Sequence, residues 1–238
     1  MKAIRALAFH TGFFLGTALL AIAGLPTLLG PPSWARWMGS TWGRFVLMWA
    51  ELTVGITYRI EGTLPSTPAI IASKHQSAFE TYLFPTILPN AVFVLKQELL
   101  RAPLVGWYLT RSGQIAIDRS AGASAVRKLL AEARKRVRDG HSLIIFPEGT
   151  RVAPGAHAPL QPGVRALYTA LGLPVVPVSL NSGLYWPRNS FLRRPGCVRI
   201  VVHPPIPAGL SRQDFDQAMK STMLQPVDRA EEANCGSG

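Results

Sequence analysis

The thirty residues between Arg5 and Arg36 contain no Asp, Glu, Lys or Arg. Few soluble folds can bury such a run, whereas a bilayer span needs roughly 20 apolar residues. Pro26 and the pair Pro31-Pro32 interrupt it, so the expected helix covers about Ile4 to Leu25. A second apolar stretch, Trp34 to Tyr58, carries Arg36, Arg44 and Glu51, with Ser33 placed to cap it. Those charges make it a poor free-standing span. With Trp34, Trp37, Trp42 and Trp49 it suits the headgroup layer as an interfacial or re-entrant helix. Residues 1–55 are therefore expected to anchor the chain to membrane lipids. A secretory leader is the competing reading, because Lys2 and Arg5 precede the apolar run and Ala21-Ile22-Ala23 has the form of a cleavage site. That reading leaves the second stretch unexplained. Lys2 and Arg5 favour a cytoplasmic N-terminus. A hairpin dipping into one leaflet of an inner membrane would keep the rest of the chain on the cytoplasmic side.

Charge narrows the partners. The 238 residues hold 25 Lys plus Arg against 13 Asp plus Glu, a net charge of +12. Of this, +4 lies in the first 59 residues and +8 beyond, so the body itself is basic. Such an excess seeks a polyanion: nucleic acid, an anionic membrane surface or a phosphorylated substrate. Hydrophobic residues make up 48% of the chain, which excludes a disordered one. Cys197 and Cys235 can build neither a disulfide framework nor an all-cysteine zinc site, and the five histidines lack metal-ligand spacing.

Beyond Gly55 the texture changes to short β-rich runs separated by helical patterns. Strands are expected at Ile56 to Ile60, Ala69 to Ser73, Ala91 to Leu95, Gln114 to Ile117, Ser142 to Phe146, Val175 to Leu180 and Cys197 to Val202. Most are continuous apolar runs, the mark of strands covered on both faces. Ala121 to Asp139 reads as an amphipathic helix ended by Gly140, and Val164 to Leu171 as another, closed by Gly172. A last helix starts near Ser211, which forms a capping box with Asp214. The fold class is α/β: a single mostly parallel sheet flanked by helices over residues 56–225, an N-terminal hydrophobic helical membrane anchor, and a flexible tail at 226–238.

Polar clusters follow strand after strand. Lys74-His75, Lys96, Asp118-Arg119, Glu148 to Arg151 and Asn181-Ser182-Gly183 each come just after an apolar run. Ligands of open α/β sheets bind outside the carboxyl ends of the strands. Parallel neighbours would gather these groups at one rim, as an active site for an anionic substrate requires.

Within HQSAFE, His75 and Glu80 are five apart and cannot share a helical face. They meet if His75 lies in the loop and a helix starts at Ser77 with Glu80 at its third position. The carboxylate then fixes the tautomer of the imidazole and stabilises its protonated form. Ser77 and Glu80 also spell a capping box, which would need no catalysis. In FPEGTR, Gly149 allows a close backbone approach and Arg151 offers a fork matched to phosphate. The plainer alternative is an ordinary turn with a solvated Arg; Arg119 and Lys96 read equally well as surface residues. No G-x-S-x-G, Walker A or GxGxxG sequence occurs. What remains is a His base acting on a substrate hydroxyl without an acyl-enzyme.

HQSAFE (75–80), GQIAIDR (113–119), FPEGTR (146–151) and VVPVSLN (175–181), in that order, resemble the glycerolipid acyltransferase family, the 1-acyl-sn-glycerol-3-phosphate acyltransferases. KQELLRAPLVG (96–106) is similar to the segment that the family places between the first two. One departure is Glu80, where the family has Asp. The resemblance implies acyl transfer from acyl-CoA or acyl-carrier protein to the free hydroxyl of a lysophospholipid, giving phosphatidic acid, with no metal, no bound cofactor and no nucleic acid. It casts His75 and Glu80 as catalytic, Arg119 and Arg151 as the phosphate grip, and Glu148, Gly149 and Thr150 as shaping the acceptor site, with Lys96 nearby. Two alternatives stay open: another lysolipid acceptor such as a lyso-ornithine lipid, or a basic non-catalytic protein of a membrane surface or nucleic acid.

Overall fold

The computed structural model describes residues 2–225 together with 227 and 228. Nearly all of the expected tail, Cys235 included, lies outside the described residues.

Two long helices come first, α1 (Lys2–Ala23) and α2 (Pro32–Val54). The prolines act as expected, but on different residues. Pro31 takes the cap position of α2 and Pro32 its first turn, so Ser33 lies inside the helix and caps nothing. At the other end Gly55 adopts φ +84° and its N–H returns to the carbonyls of Ala50 and Glu51. Only glycine takes that left-handed corner freely, so α2 stops there and does not run on to Tyr58. The next element is β1 (Ile56–Glu61).

The other elements follow in chain order: β2 (Ile70–Ser73), α3 (Phe79–Ile87), β3 (Val92–Lys96), α4 (Val105–Arg111), β4 (Ile115–Ile117), α5 (Ala123–Arg138), β5 (Leu143–Ile145), α6 (Pro162–Leu171), β6 (Val175–Leu180), β7 (Gly196–Val202) and α7 (Arg212–Met223). The sheet order is β1-β7-β6-β2-β5-β3-β4. From β6 to β4 every neighbouring pair is parallel; β7 runs antiparallel to β6, and β1 parallel to β7. The sheet is thus single and mostly parallel, with five strands pointing their carboxyl ends to one rim.

Alternation along the central strands divides the core. Ile71 on β2, Ile144 on β5 and Val176 on β6 face one side, which α1, α2 and α3 cover through Phe9, Val46, Leu47 and Leu83. Ile70, Leu143 and Val175 face the other, covered by α5, α6 and α7 through Leu129, Leu167, Phe215 and Met219. Both faces are dry, which is why these strands read as unbroken apolar runs. α2 therefore has two characters. Ala35, Val46, Ala50 and Val54 are buried in the domain, while Trp34, Trp37, Met48 and Leu52 are exposed. α1 is long and apolar enough to cross a membrane, with a mean hydropathy of 1.8 and 11% of its most apolar window buried.

Candidate active site

β2 is the middle strand of the seven, and the chain leaving it carries His75. Lys74 is still tied to the sheet, its N–H donating to Val178 O at 2.9 Å. The His75 ring then stacks on Phe146, with centroids 4.0 Å apart and planes 15° from parallel. Nδ1 is sealed from solvent, and Glu80 Oε2 lies 3.4 Å from it, longer than a well-formed hydrogen bond. Catalytic pairs often stand this loose before substrate arrives. With Nδ1 turned to the carboxylate, Nε2 is the nitrogen left for a substrate.

Glu80 is fully buried in the first turn of α3. Its Oε1 accepts the N–H of Gln76 at 3.3 Å and the hydroxyl of Ser182, and its Oε2 accepts the N–H of Ser77 at 3.2 Å. The expected capping box forms by half. Ser77 Oγ accepts from Phe79 rather than from Glu80, and the helix begins at Phe79, so Glu80 is its second residue and not its third. The carboxylate therefore holds the entry to α3 and faces the imidazole at once. Burying a charge is tolerable only with such a set of donors.

FPEGTR wraps the same loop. Glu148, itself buried, accepts the His75 N–H at 3.1 Å, and Val152 N–H donates back to His75 O at 2.7 Å. Burial pushes the Glu148 carboxyl above its usual pKa; the His75 N–H and the charge of Lys74 oppose that. Lys74 is buried beside it, and burial lowers the ammonium pKa against the pull of Glu148. Gly149 has φ +69°, and a Cβ there would stand 2.9 Å from Gln161 Cγ, so the turn needs glycine. An Arg119 guanidinium N–H donates to Gly149 O, bringing β4's exit to the same loop. Thr150 and Arg151 follow at the rim, where Arg188 donates to Thr150 Oγ1 at 3.4 Å and to Arg151 O at 3.3 Å.

Seven of the eight residues singled out from sequence thus meet. Lys96 does not: it ends β3 in an exposed pair with Glu98 at 2.9 Å. Phe146, Gln76 and Arg188 escaped notice as site components, and Ser182 was noted only as part of the polar run after β6. Phe146 and Ser182 flank the His–Glu pair. Gln76 Oε1 accepts the Gly183 N–H at 3.1 Å, joining the loops after β2 and β6. Arg188 leans on FPEGTR. The polar run after β6 was the available signal for Ser182, but its partner is 102 residues away in sequence.

A buried carboxylate behind a rim-facing imidazole, with arginines beside it, is an arrangement for removing a proton from a hydroxyl near an anion. Comparison with known proteins places the chain in a family. An acyltransferase family model matches residues 55–181, which contain every residue of this site except Arg188 and Ser182–Gly183. The 1-acyl-sn-glycerol-3-phosphate acyltransferase of Pseudomonas aeruginosa is 34% identical over 215 residues, 87% of this chain and 82% of that protein. The Saccharomyces cerevisiae protein of the same description is 27% identical, over 87% of this chain and 70% of that one. Against the chloroplastic BAT2 protein of Brassica napus the identity is 31%, and the chain spans about half of that protein's length (48%). The crystal structure of the 1-acyl-sn-glycerophosphate acyltransferase PlsC from Thermotoga maritima superposes with a TM-score of 0.75, covering 94% of this chain and 95% of that one at 21% identity, and so shares the fold. With the family model spanning more than half of the chain and the Pseudomonas relative nearly all of it, the chain belongs to the acyltransferase family.

Proposed function

We propose that this enzyme transfers a fatty acyl group from acyl-CoA or acyl-carrier protein to the free hydroxyl of 1-acyl-glycerol-3-phosphate, forming phosphatidic acid. The observation that carries the reading is the buried Glu80 carboxylate facing Nδ1 of His75, which leaves Nε2 as the ring nitrogen for a substrate. Nε2 takes the proton of the acceptor hydroxyl as its oxygen attacks the thioester carbonyl. The tetrahedral intermediate collapses, the C–S bond breaks, and the imidazolium returns its proton to the departing sulfur. No acyl-enzyme forms, since the acceptor oxygen is itself the nucleophile. Glu80 keeps the reactive tautomer and stabilises the imidazolium. Arg151 grips the acceptor phosphate, and Arg119 steadies the loop that carries it through the Gly149 carbonyl.

α1 holds the enzyme at the lipid surface from which the acceptor comes. Ile4, Leu7, Phe14, Leu15, Leu19 and Ile22 are all exposed on it, and lipid is the solvent that suits them. The body lies on the cytoplasmic side of the inner membrane in this arrangement. The relatives' names support the acceptor, and the chemistry of the site fits it.

The test is to incubate the full-length protein in membranes with radiolabelled acyl-CoA or acyl-carrier protein and a panel of lysolipids. Label in phosphatidic acid supports the proposal. Label only in another lipid, such as an ornithine lipid, changes the acceptor, and no transfer from either donor overturns the reading. Replacing the exposed Leu15 and Leu19 of α1 by Lys should weaken membrane binding while the buried faces of α1 and α2 still cover the sheet, and any residual charge-driven adhesion should be lost in salt.

A further inference from the structure

Three arginines converge where α1 lies against the domain. Arg151 belongs to FPEGTR; Arg188 and Arg193 come from the chain between β6 and β7, outside every motif discussed above. All three line one cleft, walled on the α1 side by Phe9, Phe13 and Phe14. The guanidinium of Arg193 sits over the Trp186 ring at 4.9 Å and over Phe9 at 5.7 Å. One of its terminal nitrogens donates to Ser190 O, but its Nε is buried and has no acceptor among the described residues. Nor does any carboxylate among the described residues pair with Arg151, Arg188 or Arg193.

A buried cationic N–H without an acceptor is costly, and aromatic faces offset only part of the lost hydration. Nε itself is sealed from the cleft, so a ligand's oxygens would meet the guanidinium along the part of Arg193 that lines the cleft. Three forks at one cleft suit a dianionic phosphate, and the phenylalanines of α1 suit a single acyl chain. We propose that Arg188 and Arg193, together with Arg151, bind the phosphate of an acyl-bearing phosphomonoester, and that α1 forms the wall along which its acyl chain lies. This rests on the reaction proposed above and extends it: α1 becomes part of the acceptor site as well as an anchor.

The test uses the full-length enzyme in mixed micelles. Arg193→Gln should raise the KM for 1-acyl-glycerol-3-phosphate about tenfold or more while the donor KM stays put. Discrimination against the phosphate-free 1-acylglycerol should shrink by the same factor, and Arg193→Lys should restore part of it. An unchanged acceptor KM, or an equal rise for both acceptors, overturns the proposal. Should Arg193→Gln fail to fold, Arg188→Gln at the rim replaces it, with a rise of about threefold expected in the acceptor KM alone and no rise overturning the proposal. Direct titration separates this site from the reaction. Lysophosphatidate binding that weakens in Arg193→Gln supports the site even if wild-type enzyme fails to acylate that lipid, in which case the reaction is what falls. Binding indifferent to Arg193, or inorganic phosphate bound as tightly as the lipid, overturns the site.

Discussion

The floor and the rim of this active site are built in opposite ways. At the floor Glu80 is fully buried, and Gln76 N–H, Ser77 N–H and the Ser182 hydroxyl already donate to its carboxylate. At the rim Arg151, Arg188 and Arg193 face a cleft where no carboxylate among the described residues meets them. The first arrangement satisfies the Glu80 carboxylate without substrate, with Nδ1 of His75 standing 3.4 Å from it. The second is completed only by an anion. Changes at the floor should therefore act on turnover and stability together, and changes at the rim on acceptor affinity with the fold intact.

The sharpest way to break this contrast is His75→Ala. Loss of a general base lowers turnover by about 10²–10⁴-fold, while thermal melting by circular dichroism should show a folded protein. A variant retaining a tenth or more of wild-type turnover would end the base assignment. Glu80→Gln comes next, with a loss of about 10²-fold expected. From sequence alone Gln looks harmless to stability, because it suits a capping box. The structure revises that. A Gln side chain has one acceptor oxygen where Glu80 has two, so its NH₂ would face a backbone or hydroxyl donor, at about 1–3 kcal/mol. A lower melting temperature should accompany the lost turnover; wild-type melting and wild-type rate together would reduce Glu80 to a bystander. Glu80→Asp keeps the charge and should keep part of the turnover.

Arg151→Ala sharpens the rim. Losing a hydrogen bond to charged phosphate is worth roughly 1.5–3 kcal/mol, so kcat/KM for lysophosphatidate should fall by about 10–100-fold. Steady-state kinetics should place that loss in the acceptor KM, with melting unchanged. Ser182→Ala returns to the floor with a smaller expected effect, about 1 kcal/mol of stability and a few-fold in turnover. If it moved acceptor KM alone, floor and rim would not be separable. The smallest effect expected is at Lys96→Ala, whose partner is the surface residue Glu98. Kinetics indistinguishable from wild type would exclude it from the site.

Lys96 also marks the limit of what the chain's pattern could convey. Its position after a strand put it on the rim, but β5 lies between β3 and β2 in the sheet. At about 4.8 Å per strand, that leaves β3 roughly 10 Å from the strand that delivers His75. Arg119 leaves β4, one strand further out, and still reaches Gly149 O because its side chain is long. The strands were legible because dry faces write unbroken apolar runs; β6 was read to the residue. The seven-residue α4 was not, since two turns beside Leu104, which holds φ +61°, carry too little periodicity to register. The partners of Glu80 and Arg193 escaped for another reason. Ser182 meets Glu80, and Phe9 meets Arg193, only after the sheet and α1 have come together, and no local pattern encodes that.

The two hydrogen bonds that cross between the His75 loop and FPEGTR run in opposite directions, Glu148 accepting from one loop and Val152 donating to it. The base and the arginine beside it cannot drift apart without breaking both. On the reaction proposed here, their separation works as a fixed gauge for the piece of substrate that lies between phosphate and hydroxyl. A polyol phosphate of another length would have to be accommodated by the Arg151 side chain alone, because the backbone that carries it is held to the His75 loop on both sides.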